Sequence, residues 1–150
     1  MSEGPSLLRA AGLRVTAPRL AVLAAIPSGQ HLDADTIMQT VRTQLGRVST
    51  QAVYDVLNAF TAAGLVRRID LPGQAAARYE RRVADNHHHL VCRSCGDVKD
   101  VDCAVGEAPC LTPSFIGGYL VDEAEVVYWG YCPNCRRADQ VAGSRPAPPP

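Results

Sequence analysis

The residues best equipped for chemistry are concentrated in Asp85-Asn86-His87-His88-His89-Leu90-Val91-Cys92-Arg93-Ser94-Cys95-Gly96, which holds three of the four histidines and two of the six cysteines. A second close pair follows in Cys132-Pro133-Asn134-Cys135. Two Cys-x-x-Cys knuckles on either side of a 36-residue insert have the spacing of a tetrahedral four-thiolate zinc site, because each knuckle offers two sulfurs to one ion. A structural zinc on Cys92, Cys95, Cys132 and Cys135 is therefore expected, stapling the last strand to the first and contributing to folding directly. The rival is a thioredoxin-like redox pair, which needs its Cys-x-x-Cys to open a helix after a strand. Each pair here reads instead as a turn between or after strands.

The imidazoles form a separate set. Alternate residues of a strand share a face, so His87 and His89 point one way and His88 the other. Asp100 falls about opposite them across the hairpin around Cys92 and Cys95, and Glu80 and His31 come from earlier in the chain. Three ring nitrogens and two carboxylates suit a borderline divalent ion such as Fe(II), Mn(II) or zinc. A triple histidine can also be mere decoration of a surface strand. Cys103 and Cys110 are left over, and oxidation, a third metal or inert thiols are all open to them.

These donors need elements to carry them. At 150 residues and 47% hydrophobic the chain fits one ordinary domain or two small ones, and small halves gain from a structural metal or a dimer interface. No stretch has the length of a membrane span and the first residues lack a signal-peptide core, so the expectation is a cytosolic protein with reduced thiols. Positions 1–82 carry ten arginines against six carboxylates, and positions 83–150 five basic residues against nine acids. A basic front and an acidic back suggest a polyanion-binding half joined to a cation-binding half.

Along the front half, Pro5 to Ala11 reads as a short helix stopped by Gly12. Thr16 caps a second with Leu20, Leu23 and Ile26 at helical spacing, and Asp33 a third with Ile37, Val41 and Leu45 in one stripe. Ser49 caps the clearest helix, running to Gly64, with Val53, Val56, Leu57 and Phe60 on one face and Thr50, Gln51, Tyr54, Asp55 and Asn58 on the other. Leu65-Val66-Arg67-Arg68-Ile69, a turn at Pro72-Gly73 and Ala77-Arg78-Tyr79-Glu80 predict a basic β-hairpin. Helices followed by such a wing form the layout of a winged helix-turn-helix, whose polar-faced helix enters the major groove while wing arginines meet phosphates. The back half predicts strands at His87–Val91, Val98–Val101, Tyr119–Asp122 and Val126–Tyr131. Boundaries are placed at 1–82 for a winged-helix unit and 83–137 for a metal-binding unit, with a Pro-rich, disordered tail over 138–150.

Taken together, Thr16-Ala17-Pro18-Arg19-Leu20, Ala52-Val53-Tyr54, Ala63-Gly64-Leu65-Val66, His87-His88-His89-Leu90-Val91-Cys92 with Cys95-Gly96, and the final Cys132 and Cys135 resemble the Fur family of metal-dependent repressors from about Leu13 to Cys135. The actinobacterial FurA and catalase-repressor branch is similar at Ala52-Val53-Tyr54-Asp55-Val56-Leu57 and at Asp102-Cys103-Ala104-Val105-Gly106-Glu107-Ala108-Pro109-Cys110. The resemblance implies an α+β homodimer with an N-terminal winged-helix DNA-binding domain and a small C-terminal αβ dimerisation domain carrying the four-cysteine zinc. It maps the regulatory metal, iron or manganese, onto His31, Glu80, His87, His89 and Asp100, and a third family site onto Asn86, His88, Glu107 and Tyr131. Tyr54 is similar to the family's base-contacting tyrosine, and Arg19 to a backbone-contacting arginine, with Arg14, Thr50, Gln51 and Arg67 as further DNA partners. The implied function is metal-dependent repression of oxidative-stress or iron-homeostasis genes at palindromic operators, with peroxide responsiveness left open and with no membrane and no small organic substrate. A zinc- or nickel-sensing regulator is the alternative within the family, and a thiol-redox or metal enzyme the alternative outside it.

Overall fold

A computed structural model of the chain describes residues 3–81, 83 and 85–142. Among these described residues, eleven elements run in the order α1 (Glu3–Ala10), α2 (Ala17–Ala24), β1 (Leu32–Asp33), α3 (Ala34–Leu45), α4 (Thr50–Ala62), β2 (Arg67–Ile69), β3 (Arg78–Glu80), β4 (His87–Cys92), β5 (Val98–Asp102), β6 (Val127–Gly130) and α5 (Pro133–Ala142). The chain divides into two compact units, Met1–Asp85 and Asn86–Pro150.

In the first unit the caps act as the sequence predicts. Thr16 Oγ1 accepts from Arg19 N–H at 3.4 Å, Asp33 Oδ1 from Thr36 N–H at 2.7 Å and Ser49 Oγ from Ala52 N–H at 3.1 Å. Each satisfies an amide that the first helical turn leaves without a partner. Beyond α4 the chain turns through Gly64 at φ 67°, a left-handed conformation that a Cβ disfavours. Val53, Val56, Leu57 and Phe60 are all buried, and they pack with Val22, Ile26, Ile37 and Val41 into one core. Each such side chain contributes about 1.5–3 kcal/mol by leaving water. Leu45 departs from the expected stripe: it sits at the end of α3 and is 38% exposed.

The wing is a three-stranded sheet ordered β1-β3-β2. Its two-residue β1 pairs Leu32 with Tyr79 and Asp33 with Arg78, a partner absent from the sequence reading because two residues show no periodicity.

The second unit is a sheet ordered β5-β4-β6, with β5 antiparallel to β4 and β6 parallel to it. Three expectations are corrected here. Tyr119–Asp122 is not a strand, and its Tyr119 and Leu120 side chains stand exposed instead of alternating against a sheet. The second Cys-x-x-Cys does not end in a turn. It opens α5, with Pro133 as the first helical residue, a position where its fixed φ and missing N–H suit the helix. That helix runs to Ala142, through the first positions expected to be a disordered tail; positions 143–150 of that tail lie outside the described residues. No helix is long and apolar enough to cross a membrane among the described residues.

Candidate metal centres and nucleic-acid face

The four knuckle cysteines converge. Cys92 ends β4, Cys95 lies in the following turn, Cys132 follows β6 and Cys135 sits in the first turn of α5. Their sulfurs all lie within 4.8 Å of one another, and those of Cys95 and Cys132 are 3.8 Å apart. Because β6 lies directly beside β4, with Cys92 opposite Gly130, two knuckles separated by 36 residues arrive at one point. Backbone amides also point at sulfur: Cys132 N–H donates to Cys92 Sγ at 3.3 Å and Cys135 N–H to Cys132 Sγ at 3.5 Å. Burial opposes the Cys92 thiolate, yet the backbone N–H groups of Cys95, Cys132 and Ser94 outweigh it and lower the thiol to about 6. Cys135 goes the other way. Ser94 favours its thiolate, but the sulfurs of Cys132, Cys95 and Cys92, together with burial, push it up to about 12. One early thiolate among proton-sharing thiols is a donor set that a divalent thiophilic ion completes by displacing protons. The residues fit a structural zinc. Although Cys132 and Cys135 open a helix as a redox pair would, the other two sulfurs at the same point favour the metal.

The histidines of β4 alternate as expected. His89 stands directly opposite Asp100 in the β4–β5 register. Asp100 Oδ1 lies 3.7 Å from His87 Nε2 and 3.8 Å from His89 Nε2, and the two rings meet edge to face at 5.0 Å. Both histidines are buried. In the first unit His31, just before β1, and Glu80, ending β3, are brought together by the wing: His31 Nε2 is 2.9 Å from Glu80 Oε2, and both are buried. Each unit thus assembles part of the five-residue donor set within itself.

His88, on the opposite face of β4, meets the leftover thiols. It forms a group with Cys103 and Cys110 whose ligand atoms lie within 4.8 Å of one another. Backbone N–H of Gly106 lowers the Cys103 thiol against burial, while burial and the neighbouring Cys103 raise that of Cys110. This group departs from the third site implied by the family pattern. Asn86 reaches Glu107 only at its backbone carbonyl, at 2.8 Å.

Thr50, Gln51, Tyr54 and Asp55 line the exposed face of α4. Gln51 Nε2 donates to Asp55 Oδ1 at 2.8 Å, so the carboxylate turns along the helix and holds the amide. Arg42 braces the start of the same helix through Thr50 Oγ1 at 3.4 Å. Arg14 is exposed, and Arg19 Nη1 donates to its carbonyl at 2.9 Å. On the wing, Arg67 is half-buried opposite Glu80, whereas Arg68, opposite Tyr79, is exposed and pairs with Asp70 at 3.0 Å. Arg68 shares a recess with Tyr54, Asp33 and Tyr79. It was missing from the candidate set, although alternation along β2 separates it from Arg67.

A winged-helix unit joined to an αβ unit dense in thiols and imidazoles defines the class: a metal-responsive DNA-binding regulator. The ferric uptake regulator family model matches residues 10–108. The chain is 64% identical over 132 residues to the transcriptional regulator FurA of Mycobacterium tuberculosis, covering 88% of this chain and 89% of that protein. Among solved structures, the ferric uptake regulator of Francisella tularensis with iron aligns with a TM-score of 0.68 at 27% identity, covering 83% of this chain and 96% of that one. That of Pseudomonas aeruginosa with manganese aligns with a TM-score of 0.62 at 26% identity, covering 88% and 99%. The chain belongs to the ferric uptake regulator family and is a metal-responsive transcriptional repressor of that type.

Proposed function

We propose that the chain acts as a homodimeric, cytoplasmic repressor, not an enzyme, whose grip on a palindromic operator depends on one divalent ion shared by its two units. The ligands are His31 and Glu80 from the first unit and His87, His89 and Asp100 from the second. The observation that carries this reading is the pairing of buried donors inside each unit, His31 with Glu80 at 2.9 Å and Asp100 with both β4 histidines. Buried imidazoles and carboxylates are costly unless they are paired or hold an ion. The relatives solved with iron and with manganese favour those two metals.

When bound, the ion supplies positive charge and fixed coordination that neither half-set has alone. Glu80 and Asp100 neutralise that charge, and the three imidazoles serve as neutral nitrogen ligands. Residues of both units engaged at once favour a single mutual orientation, and binding shifts the population only by its preference for that orientation. In a two-fold dimer that orientation sets the spacing of the two α4 helices against the half-sites. Tyr54 then packs against a thymine methyl, Thr50 and Gln51 face base edges, and Arg14, Arg19, Arg67 and Arg68 meet phosphates. Phe115, Ile116, Tyr119 and Leu120 are exposed in the second unit, which supports a self-association surface there. Oxidative-stress and iron-homeostasis genes are the proposed targets.

The deciding experiment measures operator affinity with and without Fe(II) or Mn(II), for the unaltered chain and for His89→Ala. Metal should tighten binding of the unaltered chain alone. Equal affinity in all four cases removes the switch, and activation by zinc or nickel alone would favour a sensor of those metals.

A further inference from the structure

His88, Cys103 and Cys110 stand apart from the four-cysteine set and from the set of His31, Glu80, His87, His89 and Asp100, and of the third site implied by the family pattern they share only His88. His88 is 4% exposed and lies on the face of β4 away from His87 and His89. Its Nε2 is 3.2 Å from Cys110 Sγ, and Cys103 Sγ completes a group in which all ligand atoms lie within 4.8 Å. The two cysteines are separated by six residues on the loop after β5. That loop is anchored to the start of β4 by the Asn86 side chain, which donates to Glu107 O at 2.8 Å. The ring is in turn held by Val126, whose N–H approaches Nδ1 at 3.4 Å. Two half-buried sulfurs from a tied-down loop and one nitrogen from a central strand therefore meet at a partly shielded point.

Two thiolates and an imidazole form a soft donor set, unlike the nitrogen and oxygen set of His31, Glu80, His87, His89 and Asp100. It is also one ligand short of the closed four-thiolate arrangement, which leaves room for a water or an exchangeable ligand. We propose that Cys103, Cys110 and His88 hold a second thiophilic divalent cation of the zinc class, in a three-ligand site with an open fourth position. The two thiols release their protons on binding, and His88 binds through Nε2 with its remaining proton on Nδ1. The long contact from Val126 N–H then yields, one weak hydrogen bond exchanged for three bonds to the ion. The site does not depend on the DNA-binding reading and stands or falls separately from it.

Two measurements on the full, reduced, metal-stripped chain test it. Titration with Co(II), a spectroscopic substitute for zinc, should give two sulfur-bound equivalents per protomer by sulfur-to-cobalt charge-transfer absorption. Cys103→Ser/Cys110→Ser should lose one and keep the other. A single sulfur-bound equivalent in both proteins overturns the proposal. Alkylation by iodoacetamide, followed by peptide mass spectrometry, needs no variant. Zn(II) should slow labelling at Cys103 and Cys110 as well as at the four knuckle cysteines, and unchanged rates at Cys103 and Cys110 overturn the proposal even if the double variant misfolds.

Discussion

Tyr54 and Asp55 are neighbours on one exposed helical face with different parts to play. Asp55 is engaged by Gln51 at 2.8 Å, so its charge is turned along the helix, while Tyr54 is 39% exposed and free to meet a base edge. Tyr54→Ala should therefore weaken operator binding by about 1 kcal/mol, the lower end for a base-edge contact. It should change affinity for random-sequence DNA much less, as competition titrations would show. Equal losses on both DNAs would mean that α4 does not read bases through this ring. Asp33 offers a second test at this scale. Its hydrogen bond from Thr36 holds the carboxyl below its usual range, so its capping stabilises the fold above the unfolded carboxyl's ordinary pKa. That contribution is lost as pH falls through the lowered folded value. Asp33→Ala should cost about 1 kcal/mol at neutral pH, and the gap between the two proteins should narrow in acid, as denaturant titrations across pH would reveal.

Among the elements, α4 and β4 carry opposite risks. The inner face of α4 is core, and Leu57 is fully buried. Leu57→Ala should destabilise the first unit by about 2–5 kcal/mol, measurable by thermal or urea unfolding. DNA binding should then fall through loss of fold and recover on cooling. Strand β4 is different because its two faces and its end serve separate donors: His87 and His89 on one, His88 on the other, Cys92 at the end. Central placement between β5 and β6 fixes all of them at once. How these elements form was unevenly legible. The caps at Thr16, Asp33 and Ser49 and the buried stripe of α4 depend on residues within four positions, so the sequence shows them. Strand β1 and the parallel pairing of β6 with β4 depend on partners far along the chain, which local pattern does not show, although it does show β6 itself as a strand at Val126–Tyr131. The helical start at Pro133 it misreads as a turn.

At the scale of the whole molecule, the proposed switch depends on ions and on a second copy of the chain. Removing zinc with a strong chelator should lower the melting temperature of the second unit, because the sulfurs of Cys92 and Cys132 bind its strand end and its helix start through one ion. A melt unchanged by chelation would leave the four thiols without a structural role. Leu120, 96% exposed beside Phe115 and Tyr119, is suited to a self-association surface. Leu120→Asp should shift the protein toward monomer in sedimentation and weaken operator binding with it, since one half-site alone gives up the second set of contacts.

The sequence by itself determined which donors exist and how neighbours share a face: alternation set His87 and His89 apart from His88, and the two knuckles announced four thiolates. Only the tertiary structure decided how distant donors meet. The parallel pairing of β6 with β4 carried Cys132 and Cys135 to Cys92 and Cys95, and the anchored loop after β5 brought Cys103 and Cys110 to His88. The physical reason is range: backbone geometry dictates direction over a few residues, whereas convergence across a long insert is set by packing and strand pairing that no short window contains.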